Sequence, residues 1–260
     1  MNTSPPAVHR SASVGFAAKA DRYVRGRPDY PDEIVQWLQS RLGLMDGKVA
    51  LDLGAGTGKF TAYLLRTGAR IIAIEPVLQM REQLRRAYPG VDAREGTATS
   101  IPVPNSSVDA IICAQAFHWF ATRDALAEIC RVLKPGGKLG LIWNMRDETV
   151  DWVAKLTEII APYEGDTPRF AKGTWKLAFP FDGLSALRED HFGHEHAGSP
   201  EDVIIERVRS ISFIAALPAD DEAKVVGQLR GLIASTPALM AKDIVSMPYT
   251  TAAFWAEKIA

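Results

Sequence analysis

The stretch "VALDLGAGTGKFTAYLL", Val49 to Leu65, decides the fold. The apolar run VALDL leads into Gly54-Ala55-Gly56-Thr57-Gly58, and then Phe60, Tyr63 and Leu64 recur at helical spacing. A strand, a glycine turn and a helix in that order open a strand–helix–strand unit. Glycines at alternate positions permit a tight turn and let a ligand come close to the main chain. Gly68 stops the helix.

The same alternation continues downstream. ARIIAIE (69–75) reads as a second strand and Val77 to Tyr88 as a helix. GVDAREG holds a short third strand, and SVDAIICAQA (107–116) is a fourth, apolar almost throughout. Leu126, Ile129, Cys130 and Leu133 share a helix face closed by KPGG (134–137), and KLGLIWN (138–144) is a fifth strand. Apolar strands alternating with helices predict a parallel sheet covered on both faces. Upstream, Ile34, Trp37 and Leu38 give a short amphipathic helix. Residues 151–197 carry little periodic signal. Ser199-Pro200-Glu201-Asp202 is a helix start, with Ile204, Val208 and Ile211 on one face. A further helix is expected from about Asp220 to Ala234, then a last strand in MPYTTAAFWAEKIA. The two late helices are expected to form a lid over the ligand-binding end of the sheet.

Composition narrows the class. The chain has 260 residues, 47% hydrophobic and 23% charged, with a net charge of -1. Those are the values of an ordinary soluble globule. Near-neutrality argues against a dedicated nucleic-acid binder. No apolar run approaches the roughly 20 residues of a membrane span. Residues 1–15 lack the apolar core of a secretory signal and read as a disordered leader before one domain over 16–260. Cys113 and Cys130 are too few for a disulfide framework or a four-cysteine zinc site, so reduced thiols and a cytoplasmic location are expected. His191, His194 and His196 lie in HFGHEH, where alternation puts His194 and His196 on one strand face. No metal site is expected from them, because no Cys or acidic ligand pattern accompanies them.

In a doubly wound sheet the ligand lies beyond the carboxyl ends of the strands. Asp52, at the end of the first strand, precedes a G-x-G-x-G turn in which Lys59 stands where a dinucleotide fingerprint has its third glycine. An acid there repels a pyrophosphate and suits an ammonium group. Glu75, ending the second strand, is placed to accept from a ribose hydroxyl pair. A ligand with a ribose, a cationic amino-acid end and no required phosphate is S-adenosylmethionine.

LDLGAGTG, IAIEP, SVDAIICAQAFHWF, RVLKPGGKLGLIWN and FAAKADRYVRGRPDYP together resemble the class I methyltransferases that use S-adenosylmethionine. Within that family they resemble the type 11 branch with small-molecule acceptors, trans-aconitate-type enzymes among them. The likeness runs well over about residues 16 to 145 and loosens beyond. It implies a doubly wound, mostly parallel seven-stranded α/β sheet. It also implies a cofactor site at Asp52, Gly54, Ala55, Gly56, Thr57, Gly58, Glu75 and Pro76. Many relatives hold adenine through an aspartate after the third strand; here the residues are Gly96-Thr97-Ala98, leaving backbone groups of Thr97 and Ala98 to bracket the ring. Gln115 and Ala116 are cofactor contacts or strand-end packing. Tyr23 and Arg27 resemble a segment that closes over the cofactor, Arg27 pairing with its carboxylate or else with Asp29 or Asp32.

Methyl transfer from a sulfonium is an in-line displacement in which alignment supplies most of the rate. His118, in AQAFHWF, is the candidate general base, or else polar filler between Phe117 and Trp119. Asn144, Arg146 and Asp147 follow the fifth strand at the functional edge. Three other readings stay open: a nicotinamide-dependent oxidoreductase, a cofactor-binding regulator without turnover, and a methyltransferase acting on RNA or protein.

Overall fold

The computed structural model describes residues 27–259; the expected leader and Tyr23 lie outside the described residues. Seven strands form one sheet. The central strand β1 (Val49–Leu53) pairs in parallel with β2 (Arg70–Ile74) on one side and β4 (Val108–Ala114) on the other. Outward from these lie β3 (Asp92–Arg94) and β5 (Leu133–Arg146), also parallel. β7 (Val245–Glu257) runs antiparallel between β5 and the edge strand β6 (Arg188–Gly198). The order β3-β2-β1-β4-β5-β7-β6 reverses between β1 and β4, which opens a crevice at their carboxyl ends.

β5 is longer than the 138–144 segment expected. Leu133 already pairs with Val108, and a register shift before Ala110 lets the KPGG segment pass. The segment HFGHEH, silent in hydrophobic periodicity, is β6. Its half-buried face carries Asp190, Phe192, His194 and His196, so His194 and His196 do share a face. The Trp37 indole donates to Asp190 Oδ2 at 2.9 Å and ties this edge to the first helix.

That helix, α1 (Glu33–Leu42), packs with α2 (Thr61–Leu65) and α3 (Leu78–Ala87) on one face of the sheet. Ile34, Leu38, Leu64 and Leu84 meet Ala50, Ile71 and Ile112 there. α4 (Arg123–Val132) covers the other face, where Leu126 and Ile129 meet Leu51, Ile72 and Ile111. Its Thr122 hydroxyl accepts from Ala125 N–H at 3.2 Å and caps it. Each fully buried Leu or Ile contributes about 1.5–3 kcal/mol of transfer free energy.

A third cluster packs on the start of β7, through Val245, Met247 and Tyr249. It joins α5 (Asp151–Ile160) to a wide-turned segment Glu201–Glu206, α6 (Arg207–Arg209), α7 (Ser212–Ala215) and α8 (Ala219–Ser235). The start read at Ser199 is present: its hydroxyl accepts from Asp202 N–H at 3.1 Å. Leu156, Ile204, Val208 and Leu229 are buried together here. Among the described residues no helix is long and apolar enough to cross a membrane.

Candidate active site

The turn after β1 is built to bare its backbone. Gly54, Gly56 and Gly58 have φ of 75°, 58° and 88°, a region that side chains rarely adopt. A Cβ on Gly54 would stand 2.8 Å from the Ala116 Cβ, so the turn packs directly on the end of β4. At Gly56 a Cβ would meet only Met80 Cε at 3.5 Å, so conformation and not crowding by the protein requires glycine there. Gly54→Ala is expected to lower stability, by about 1–2 kcal/mol for the left-handed backbone and about 1–3 kcal/mol for overpacking. A thermal melt coinciding with wild type would show that the turn relaxes freely.

A cavity of about 260 Å³ opens beyond this turn. Asp52, Gly54, Ala55 and Gly56 line it from β1 and its turn. Glu75 and Pro76 come from the end of β2, and Thr97 and Ala98 from the turn after β3. Gln115 and Ala116 follow β4, and Arg27 closes the rim. Thr57 and Gly58, expected with them, do not line this cavity. The turn has already reversed: Thr57 faces a separate surface groove, and Gly58 lies against the Tyr88 ring.

Both carboxylates are buried. Asp52 Oδ2 accepts from the Thr61 hydroxyl at 2.7 Å, and its pKa is pushed up to about 7. Burial is the main cause; the Thr61 hydrogen bond opposes it and the Glu75 charge adds to it. Glu75 spans the mouth of the turn. Oε2 accepts from Gly56 N–H and Oε1 from Val77 N–H, each at 2.8 Å. Burial raises the Glu75 pKa as well, against those two amides and the Arg81 charge. Arg81 donates to the Glu75 carbonyl at 2.6 Å and pairs with Glu95 at 2.8 Å, fixing the end of β2.

Gln115 holds a φ of 55° without being glycine. Its side-chain amide donates to the Asn144 carbonyl at 3.1 Å, which holds the strained residue between two strand ends. Asn144 in turn donates to the Asp29 carbonyl and accepts from the Thr251 hydroxyl. Asp29 pairs with Lys59 and Asp32 with Arg66, both at 2.8 Å. Arg27 donates to the Ser210 carbonyl at 3.2 Å.

A second cavity, about 340 Å³, adjoins the first. Arg27, Gln115, Trp119, Asn144 and Arg207 belong to both walls. His118 lines only the second. The Trp143 indole donates to His118 Nδ1 at 3.0 Å. An indole N–H only donates, so Nδ1 is unprotonated and the ring proton sits on Nε2. Burial, with the charges of Arg27 and Arg169, lowers its basicity to about 3. The expectation of a general base is therefore corrected. The one lone pair that takes a proton is committed to Trp143, and His118 presents an N–H to the cavity.

Arg169 and Arg207 were not singled out in the sequence. Arg207 had a signal: it falls between Ile204 and Ile211 on the apolar helix face. Arg169 had none, since its segment lacks periodicity. Trp143 and Trp175 are buried with ring centroids 4.7 Å apart, as core packing.

Residues 51–141 match the model of a methyltransferase domain. The chain is 39% identical over 244 residues to an uncharacterised methyltransferase-like protein of Schizosaccharomyces pombe, covering 94% of this chain and 95% of that one. It is 38% identical over 242 residues to an uncharacterised methyltransferase of Mycobacterium bovis, covering 93% and 95%. A solved structure described as a candidate type II methyltransferase from Anaeromyxobacter dehalogenans shares the fold, with a TM-score of 0.66, 21% identity and 89% and 97% coverage. Fold and crevice define a class I methyltransferase. The chain belongs to the S-adenosylmethionine-dependent methyltransferase family, and S-adenosylmethionine is its methyl donor. The residues fit that donor: Asp52 Oδ1 has no donor of its own among the described residues, and the bare Gly54–Gly56 backbone faces the same cavity.

Proposed function

We propose that the chain transfers the methyl group to a small molecule seated in the second cavity. The observation that carries this is the shared wall: two cavities meet at Gln115, Trp119 and Asn144, so donor and acceptor can face each other across one boundary. Asp52 holds the donor's ammonium, Glu75 its ribose hydroxyls, Arg27 its carboxylate, and the Thr97–Ala98 backbone its adenine. When bound, S-adenosylmethionine supplies a methyl on a positive sulfur, which leaves with the bonding pair. Gln115, Asn144 and Trp119 hold the acceptor in line, and the helices around Arg207 cover it as a lid.

His118 acts as a hydrogen-bond donor to the acceptor. His118→Gln keeps an N–H and supplies no base, so turnover is expected to stay within about tenfold of wild type. Loss of a general base lowers rates about 10²–10⁴-fold, and a fall of that size would restore the base. The overall reading is tested by loading the protein with S-adenosylmethionine, screening small acids, thiols and phenols, and following S-adenosylhomocysteine release. Tight cofactor binding with no turnover on any of them would favour a regulator.

A further inference from the structure

The second cavity carries charge that the methyl donor does not require. Among the described residues, Arg27, Arg146, Arg169 and Arg207 line it, against one carboxylate, Glu148. Arg169 forms an ion pair with Glu164. Arg146 and Arg207 have only neutral partners among the described residues. Arg146 Nη2 donates to the Thr157 hydroxyl at 3.2 Å, and its Nη1 is buried with no hydrogen-bond partner. Glu148 does not meet that charge directly; its Oε1 accepts from the same Thr157 hydroxyl at 2.8 Å. Arg207 donates from Nε to the Tyr249 hydroxyl at 3.1 Å and from Nη1 to Ser210 Oγ at 3.4 Å.

A buried guanidinium without a counter-ion destabilises a fold by several kcal/mol. Burial, and then the neighbouring charges of Arg207 and Arg169, lower Arg146 to about 10 against the opposing effect of Tyr249 and Glu148, which still leaves it charged at neutral pH. Two such cations in one cavity, beside a cationic cofactor and with no ion pair to either among the described residues, favour an anionic occupant. The His118 Nε2–H adds a further donor to the same wall. Four arginines against one carboxylate among the described lining residues disfavour a cationic amine as the occupant.

We infer that the methyl acceptor bears a carboxylate, and that Arg146 and Arg207 bind it. This rests on the reading of the second cavity as the acceptor site. Arg146, absent from the cofactor wall, anchors the carboxylate at the far side; Arg207, on both walls, lies between it and the donor. A planar guanidinium matches a carboxylate's two oxygens.

Calorimetry on protein saturated with S-adenosylhomocysteine tests this. Butyrate, succinate, glutarate, adipate and benzoate are each titrated against the corresponding amide, with inorganic phosphate as a further probe. At least one acid is expected to bind roughly ten- to a hundredfold tighter than its amide, the span of charge-assisted hydrogen bonds. Arg146→Met is expected to erase the preference and Arg146→Lys to restore part of it, while S-adenosylhomocysteine binds all three proteins alike. Equal binding of acids and amides would overturn the assignment, as would an Arg146→Met protein that keeps the preference. Phosphate binding tighter than every acid would also overturn it. Repeating the titrations without S-adenosylhomocysteine reads the anion site by itself. Failure of wild type to bind S-adenosylhomocysteine would instead strike at the cofactor reading.

Discussion

Asp52→Asn is expected to weaken S-adenosylmethionine binding roughly ten- to a hundredfold at about pH 8, the loss of one charge-assisted contact. It is also expected to remove the pH dependence of binding. In the free protein the buried Asp52 carboxyl titrates near 7. An ammonium beside it favours the ionised form, so the proton must leave as the cofactor enters. Affinity in the wild type should therefore fall as pH drops below about 7, by up to tenfold per unit, and level off above. The free protein shows the opposite trend. The unfolded chain releases this proton near 3.8 while the folded chain keeps it to about 7. Stability should decrease as pH rises through that window and be flat beyond it. Asparagine still accepts from the Thr61 hydroxyl, so the variant should fold. Calorimetry across pH 5.5 to 8.5 checks both parts, and a wild-type affinity that ignores pH would detach Asp52 from the ammonium.

Glu75→Gln is the second large effect, and its cause lies in hydrogen-bond valence. The carboxylate accepts one backbone N–H on each oxygen, from Gly56 and from Val77. A glutamine has a single oxygen, so its amide NH₂ must face one of those N–H groups. One buried donor then goes unmet, at about 1–3 kcal/mol. For a chain of this size that lowers the melting temperature by several degrees, at about 2–4 °C per kcal/mol. The Gly56 amide adds to the Gly54 and Ala55 N–H bonds to the Ile74 carbonyl in holding the glycine turn against β2, so cofactor affinity should fall beyond the loss of a ribose contact. Scanning calorimetry with and without S-adenosylhomocysteine measures both. A Glu75→Gln protein that melts with wild type would show that the turn is held in another way.

The crevice was legible because its parts are local. A strand of period two or an all-apolar run ends at an acid, and the glycines follow within a few residues. Asp52, Gly54, Gly56 and Glu75 needed no partner from elsewhere to be read. The family resemblance puts Thr57 and Gly58 in the cofactor site as well, yet the turn reverses direction before reaching them. Local pattern gives membership of a turn, and the backbone angles decide which of its residues face the ligand.

The acceptor side was nearly silent. Away from the cavities, the alternation in HFGHEH reads as a solvated strand, and only the pairing with β7 places it at the sheet edge. Arg207 interrupts an apolar stripe, and one charge in a stripe is a weak signal. Its meaning comes from Arg146, 61 positions away in sequence, and from the lack of an ion pair to either among the described residues.

Chain order alone determined the parallel core, the place of the crevice and the class of ligand in it. Those follow from periodicity and from the chemistry of residues that are neighbours along the backbone. Tertiary structure alone decided the protonation of His118, set by an indole from β5, and the charge of the acceptor cavity, set by arginines from four separate segments. Burial and hydrogen-bond partners are properties of an environment, and most of that environment comes from residues remote in sequence.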